Sequence, residues 1–159
     1  MNLVYTTDYG LLDTILSNPR LSKAILQDGD VAHINQDLEY LLASVEINQN
    51  QEMEVIGFFS CRPWTNRTIE AHIYVLPDYW GTLLSDAMFY ALVAVLQKTA
   101  TRKIITRTPA VCTHAINFVK RIGFKQAGCV SEAISWGGEV TDVLLWQYDD
   151  VLPEELSHG

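Results

Sequence analysis

The sequence predicts a single α/β (α+β) domain with a central mixed, mostly antiparallel sheet and helices on both faces. Three observations predict it. Apolar runs of strand length at residues 38–47, 55–61 and 68–76 succeed one another through short polar links, and short links make antiparallel neighbours. Two amphipathic helical patterns then alternate with a further strand-like run at 103–106, and a crossover helix lets the strands on either side of it lie parallel. At 159 residues and 48% apolar composition, the chain can bury one sizeable core, with no obvious room for a second domain. The expected domain spans 1–148, with residues 149–159 forming an acidic, frayed tail.

Leu11, Leu12, Ile15 and Leu16 fall on one face of a helix beginning near Thr7. Asn18-Pro19 reads as the N-cap and first-turn proline of a second, short helix whose apolar residues are Leu21, Ala24, Ile25 and Leu26, and which Asp28-Gly29 stops. The three strands follow, separated by an Asn- and Gln-rich tract and by a turn at 63–66. Leu83, Leu84, Ala87, Met88, Ala91, Leu92, Val95 and Leu96 mark a long helix with one continuous buried stripe. After the 103–106 strand, Thr113 caps another helix whose inward residues are Ala115, Phe118, Val119 and Ile122. Gly123 stands where a left-handed residue ends a helix, and residues 124–136 and 139–148 form a closing hairpin about Gly137-Gly138. Among the tryptophans Trp64, Trp80, Trp136 and Trp146, the last alternates with Leu144 and is expected in the core. Trp64 in its turn and Trp80 at a strand-to-helix junction stand where an exposed aromatic anchors a partner or closes a cleft.

Composition excludes several functions. The formal charge is −8, and eleven Lys and Arg scattered among nineteen carboxylates leave no nucleic-acid footprint and oppose long-range capture of an anionic ligand. No apolar run reaches the length of a membrane span, and the first ten residues carry neither a basic start nor a signal-peptide core, so a soluble cytoplasmic protein with no membrane partner is expected. Cys61, Cys112 and Cys129 are odd in number and far apart, without C-x-x-C spacing, which indicates neither a disulfide framework nor a zinc or other metal site. His33, His114 and His158 lie in polar contexts and are expected on the surface.

The segment richest in chemistry runs I-Y-V-L-P-D-Y-W-G-T-L-L-S over residues 73–85, a strand that stops at a proline and passes through a polar turn into a helix. Strand end, open turn and helix N-terminus converge backbone N–H groups on one point, which suits a phosphate-bearing ligand. The turn holds a single glycine, Gly81. Just upstream, Glu70, His72 and Tyr74 share one face of their strand, because side chains alternate with period two. That face reads either as acid–base machinery or as the wall of a solvated cleft or interface.

Three stretches coincide with one family: Glu70-Ala71-His72-Ile73-Tyr74-Val75 continuing into Leu76-Pro77-Asp78-Tyr79-Trp80-Gly81, the helix 115–122, and Gly123-Phe124-Lys125-Gln126-Ala127-Gly128. On these, and on the order of its elements, the chain resembles the GNAT superfamily of N-acetyltransferases. Asn18-Pro19, Asp28-Gly29 and Trp136-Gly137-Gly138 with Thr141-Asp142 look more narrowly like a phage-encoded GNAT-like group of unassigned activity. The resemblance implies acetyl transfer from acetyl-CoA to a primary amine, carried by a small molecule or a protein. It also implies that N–H groups of the strand holding Ile73 and Val75 hold the thioester carbonyl and pantetheine, and that the turn Trp80, Gly81, Thr82, Leu83, Leu84 and Ser85 holds the pyrophosphate. Glu70 and His72 would then be catalytic, either one taking the proton of the attacking amine, or Glu70 orienting the ring of His72.

The chain also departs from the family's pattern. Trp80 stands for the leading Arg or Gln of the turn, and Leu83 and Ser85 stand for its two defining small residues; a Cβ at Leu83 narrows the approach of a phosphate. Asp86 adds an anion in the first helical turn, which favours the helix and repels a polyanionic cofactor. Leu83 and Leu84 open an apolar stripe and are expected to be buried in it. The tyrosine that commonly protonates the departing thiolate is matched by Val119, and the asparagine that often opens that helix by Cys112, whose thiol is either packed or activated by the helix N-terminus. Tyr79 or Tyr90 are the candidates to replace the missing acid. The alternative function is a catalytically silent GNAT-fold phage protein, a virion component or host-protein binder, with a protein as its partner.

Overall fold

Leu41, Leu42, Ala43, Ser44 and Val45 are all buried, so a strand through them must be covered on both faces. The computed structural model, which describes residues 1–25, 38–47, 49–80 and 83–154, places that strand inside a seven-stranded sheet. The elements are β1 (Asn2–Thr6), α1 (Tyr9–Leu16), α2 (Pro19–Ile25), β2 (Tyr40–Ile47), β3 (Met53–Pro63), β4 (Thr68–Val75), a short 3-10 turn at Pro77–Tyr79, α3 (Leu84–Gln97), β5 (Lys103–Pro109), α4 (Thr113–Ile122), β6 (Lys125–Trp136) and β7 (Glu139–Tyr148). The sheet order is β1-β2-β3-β4-β5-β7-β6, antiparallel throughout except between β4 and β5. This is the predicted mixed sheet, with α3 as the crossover between its two parallel strands. No helix among the described residues is long and apolar enough to cross a membrane.

The two faces carry separate cores. α3 and α4 cover Ile56, Phe59, Ile69, Ala71, Val75, Ile104 and Trp146. Leu12, Ile15, Leu16 and Leu21 from α1 and α2 cover Leu41, Ala43, Val45 and Phe58. Asp8 caps α1, its Oδ1 accepting the Leu11 N–H at 3.0 Å, and Asn18 Oδ1 accepts the Arg20 N–H at 3.1 Å where Pro19 opens α2. Leu11 and Ala24, expected to face inward, are on the exposed side of their helices. The predicted stop at Asp28-Gly29, with Leu26, lies outside the described residues.

Several expectations are corrected. β1 was not predicted: it is an edge strand with no buried residue, held by pairing Asn2–Thr6 to Val45–Leu41, and such pairing leaves no apolar stripe in the sequence. β3 and β5 outrun the predicted 55–61 and 103–106 because main-chain pairing continues through exposed Met53, Glu54, Arg62 and Arg107. The N-cap of α4 is Cys112, and Thr113 is already helical. On α3 the buried residues are Met88, Phe89, Leu92, Val93 and Leu96, while Leu83 precedes the helix and is 84% exposed. Packing also continues past Tyr148, where fraying was expected to begin: Lys103 Nζ lies 2.7 Å from Asp149 Oδ1, and Val151 is buried.

Two glycines are required by the backbone. A bulge sets Ser44 against Gly57 but Val45 against Val55, and a Cβ on Gly57 would overlap the Tyr74 carbonyl oxygen and approach Val75 Cα to 3.2 Å. Only glycine lets β3 lie so close to β4 there. Gly123 ends α4 at φ 108°, with the Phe124 N–H donating to the Val119 carbonyl at 2.9 Å. Phe124 then packs its ring 5.4 Å from Phe89 and 5.5 Å from Tyr148. Replacing Gly123 by Val forces a β-branched residue to positive φ and sets its Cβ 3.4 Å from the Tyr148 ring, so stability should fall by roughly 1–2 kcal/mol. An unchanged melting temperature for Gly123→Val would contradict this account of the helix end.

Candidate active site

β4 is paired along its length with β3, from Ile69 opposite Pro63 to Val75 opposite Gly57. On its other side only Thr68, Ile69 and Glu70 pair, with Lys103, Ile104 and Ile105. Beyond that point β5 stays with β7 as far as Pro109, and the two parallel strands part. The Leu76 N–H donates to the Ile56 carbonyl on β3 at 3.0 Å. Because peptide groups alternate sides along an antiparallel strand, Glu70, His72 and Tyr74 direct theirs to β3, and Ile73 and Val75 direct theirs into the gap. The Val75 carbonyl bears this out, accepting the Trp80 indole N–H at 2.8 Å.

Side chains alternate across the sheet faces. Ile69, Ala71, Ile73 and Val75 join the core under α3 and α4, and Glu70, His72 and Tyr74 project from the opposite face, as period two predicts. His72 Nε2 lies 3.2 Å from Glu70 Oε2. Arg107 of β5 completes the cluster: its Nε is 2.9 Å from Glu70 Oε1 and its Nη2 is 3.2 Å from Oε2, a two-point fork across the vertex of the gap. Arg107 was not predicted. Its signal was available only through register, since Glu70 pairs with Ile105 and Arg107 is the next residue on that face.

The His72 hydrogen bond, the charge of that ring and those of Arg107 and Arg62 hold the Glu70 carboxyl below its usual value against the opposing effect of burial. A carboxylate only accepts, so the His72 Nε2 that faces Glu70 Oε2 is the proton-bearing donor, and Nδ1 is the ring nitrogen turned away from the pair. The polar line continues onto β3, where Ser60 pairs with His72 and its buried Oγ donates to Glu39 Oε1 at 2.9 Å. Burial and then the nearby Glu39 push the Tyr74 hydroxyl up to about 12, so it remains a neutral phenol.

At the other end of β4, Gly81 and Thr82 lie outside the described residues, as do His33 and His158. Trp80 is 40% exposed, with the Arg20 guanidinium 5.4 Å from its ring centroid. Leu84 and Ser85 are half-buried, whereas exposed Leu83 is no part of the α3 stripe. Asp86 is not the bare anion expected: Arg121 of α4 forks onto it, Nη2 to Oδ1 at 2.7 Å and Nε to Oδ2 at 3.3 Å. Val119 is core, and partial burial raises the Cys112 thiol, so the helix end does not activate it. The Tyr79 hydroxyl donates to Glu54 Oε1 at 2.6 Å, which pushes it up to about 12, and Tyr90 projects outward from α3. Trp146 is buried as predicted, its indole N–H on Thr108 Oγ1 at 2.9 Å, while Trp64 and His114 are exposed.

The depressed Glu70 carboxyl has a defined pH signature. A carboxylate whose pKa falls on folding stabilises the fold above its unfolded value and loses that contribution as pH drops through the folded one. The melting-temperature margin of the native chain over Glu70→Gln should therefore be full above the ordinary value of 4.5 and shrink below it. A margin that does not change with pH through that range would show that Glu70 is not held ionised by its partners.

Comparison with known proteins agrees with this geometry. A ribosomal-protein-alanine N-acetyltransferase from Brucella melitensis superposes with a TM-score of 0.69 at 16% identity, over 94% of this chain and 99% of that one. A spermidine N-acetyltransferase from Vibrio cholerae does so with a TM-score of 0.69 at 15% identity, over 92% and 94%. A Streptococcus mutans protein reaches a TM-score of 0.70 at 12% identity, over 94% and 99%. Such identities speak for the fold, and no curated protein matches significantly. The model of the acetyltransferase (GNAT) family matches residues 12–124, well over half of the chain. By that match, and by a sheet that opens between its parallel strands β4 and β5, the chain belongs to the acetyltransferase (GNAT) family.

Proposed function

We propose that the protein transfers an acetyl group from acetyl-CoA to a primary amine. The observation that carries this reading is the parting of β4 and β5, which turns the peptide groups of Ile73 and Val75 into an opening beside the Glu70–His72 pair. The N-acetyltransferase names of the Brucella and Vibrio neighbours support an amine as the acceptor. In this reading acetyl-CoA supplies an activated acetyl group: the amine nitrogen bonds the thioester carbon, the carbon–sulfur bond breaks and CoA leaves as the thiolate.

The remaining roles belong to the chain. Ile73 and Val75 present backbone groups to the acyl and pantetheine end. Residues 80–85 and the start of α3 receive the pyrophosphate, helped by Arg121, which offsets Asp86. His72 accepts the amine's proton at Nδ1. Glu70 fixes the ring through Nε2 and, clamped by Arg107, does not compete for that proton. Val119 offers no acid, and Tyr79 is committed to Glu54, so the thiolate takes its proton from water and turnover is slow. General acid catalysis typically contributes about 10²–10⁴-fold.

One observation favours a second reading. Exposed Leu83 beside half-exposed Trp80 is an apolar surface that a protein partner would cover. A catalytically silent phage component or host-protein binder would use it so.

Calorimetry with acetyl-CoA separates the two. The enzyme reading expects binding that weakens with salt, and His72→Ala should lower kcat by about 10²–10⁴-fold while leaving acetyl-CoA affinity unchanged. Absence of both heat and thermal shift at millimolar acetyl-CoA would overturn it. The turn allows a sharper check. Leu83 has no packing to lose, so Leu83→Gly/Ser85→Gly should tighten CoA binding while costing at most about 1 kcal/mol of helix propensity per site. Lost stability or partner binding without tighter CoA would favour the second reading.

A further inference from the structure

Past Glu70 the open side of β4 has no strand to pair with, because β5 continues with β7. Its peptide groups there still need partners. Of the carbonyls of Ile73 and Val75, which β4 turns into the gap, the chain itself satisfies the second: Trp80 folds its indole back and donates to Val75 at 2.8 Å. The side chain thus takes a hydrogen-bonding place on the open edge that a ligand lying along β4 would need.

The two hydrogen-bonded indoles differ in how firmly they are held. Trp146 is buried in the core against Thr108 Oγ1 and has no room to turn. Trp80 is exposed, and both of its side-chain contacts can be replaced: the Val75 carbonyl by an exchange of donors, and the Arg20 guanidinium, 5.4 Å from the ring centroid, by water. Among the described residues Arg20 has no carboxylate partner, so its cation rests on the ring alone. The Trp80 main chain is anchored separately, its N–H donating to the Pro77 carbonyl at 3.1 Å, so rotation of the side chain frees the indole without undoing the turn.

We propose that Trp80 is a latch on the gap between β4 and β5, and that its indole leaves the Val75 carbonyl when the amide-bearing arm of acetyl-CoA binds along β4. Hydrogen bonds balance in the exchange: Val75 gives up an indole N–H and gains an amide N–H, while the freed indole N–H turns to water. A ligand with no N–H to offer gains nothing at Val75, so the latch answers to an amide chain and not to a phosphate. Its effect is felt in affinity, because only the fraction of molecules with the indole turned away is competent to bind. The proposal rests on the acetyl-transfer reading and adds the step that admits the donor.

The test follows the Trp80 indole proton by NMR in the full chain, with the Trp80→Phe variant identifying its signal. Saturation with CoA should move that signal upfield and speed its exchange with solvent by about tenfold or more, as the loss of a hydrogen bond requires. ADP, which carries the pyrophosphate without the amide arm, should leave it in place. Trp80→Phe keeps a ring for Arg20 and removes the N–H, so calorimetry should find CoA bound about three- to tenfold more tightly and ADP within about twofold. An indole signal that CoA does not move, or weaker CoA binding by Trp80→Phe, would make the indole a fixed wall of the gap and overturn the latch. The NMR arm reads the native chain and so does not depend on how the variant folds. If CoA binds both chains equally and the indole stays on Val75, the latch fails and the acetyl-transfer reading stands. If CoA binds neither chain, the transfer reading fails and takes the latch with it.

Discussion

The divergence of β4 from β5 after Glu70 is the constraint from which the site follows. Neither strand is weakly held. β4 is fully paired to β3 and β5 to β7, so two well-ordered half-sheets lean apart about a short common seam. Gly57 lets β3 press against the β4 backbone at Tyr74 and Val75. The Arg107–Glu70 fork closes the seam from the other side. A half-buried carboxylate is tolerable there only because two donors satisfy it, and the same pairing fixes the ring of His72. Backbone geometry and acid–base geometry thus share one anchor.

Local pairing, rather than net charge, decides what the surface can receive. A charge of −8 argues against an anionic ligand at long range. Yet at the start of α3 the one first-turn carboxylate is matched by Arg121, and at the vertex of the gap Glu70 is matched by Arg107. The excess of negative charge therefore lies elsewhere on the chain.

The fold was legible because element order and periodicity agree: strands with short links, helices with stripes, a glycine at a helix end that adopts φ 108°. β1 escaped because an exposed edge strand is held by main-chain pairing, which no side-chain pattern records. Glu70 and His72 were legible together, since residues two apart on a strand share a face. Arg107 and Glu39 were not, because each reaches the line of polar groups through cross-strand register, far from its partners in sequence. Leu83 misled for a simpler reason. An apolar residue continuous with a helical stripe looks like its first member, but α3 begins one residue later and leaves Leu83 in solvent.

Trp80 joins several of these parts at once. Its indole N–H ends on the Val75 carbonyl that faces the gap, and its ring lies under Arg20 of α2, a helix packed on the sheet face that carries Tyr74. Trp146, by contrast, is sealed in the core against Thr108. Indole emission depends on hydrogen bonding and on nearby charge, so Trp80, with a cation over its ring, and Trp146, sealed in the core, differ in what their emission reports. With Trp64, Trp136 and Trp146 replaced by Phe, the remaining indole would give an optical gauge of that opening, one that needs no label and no turnover to be read.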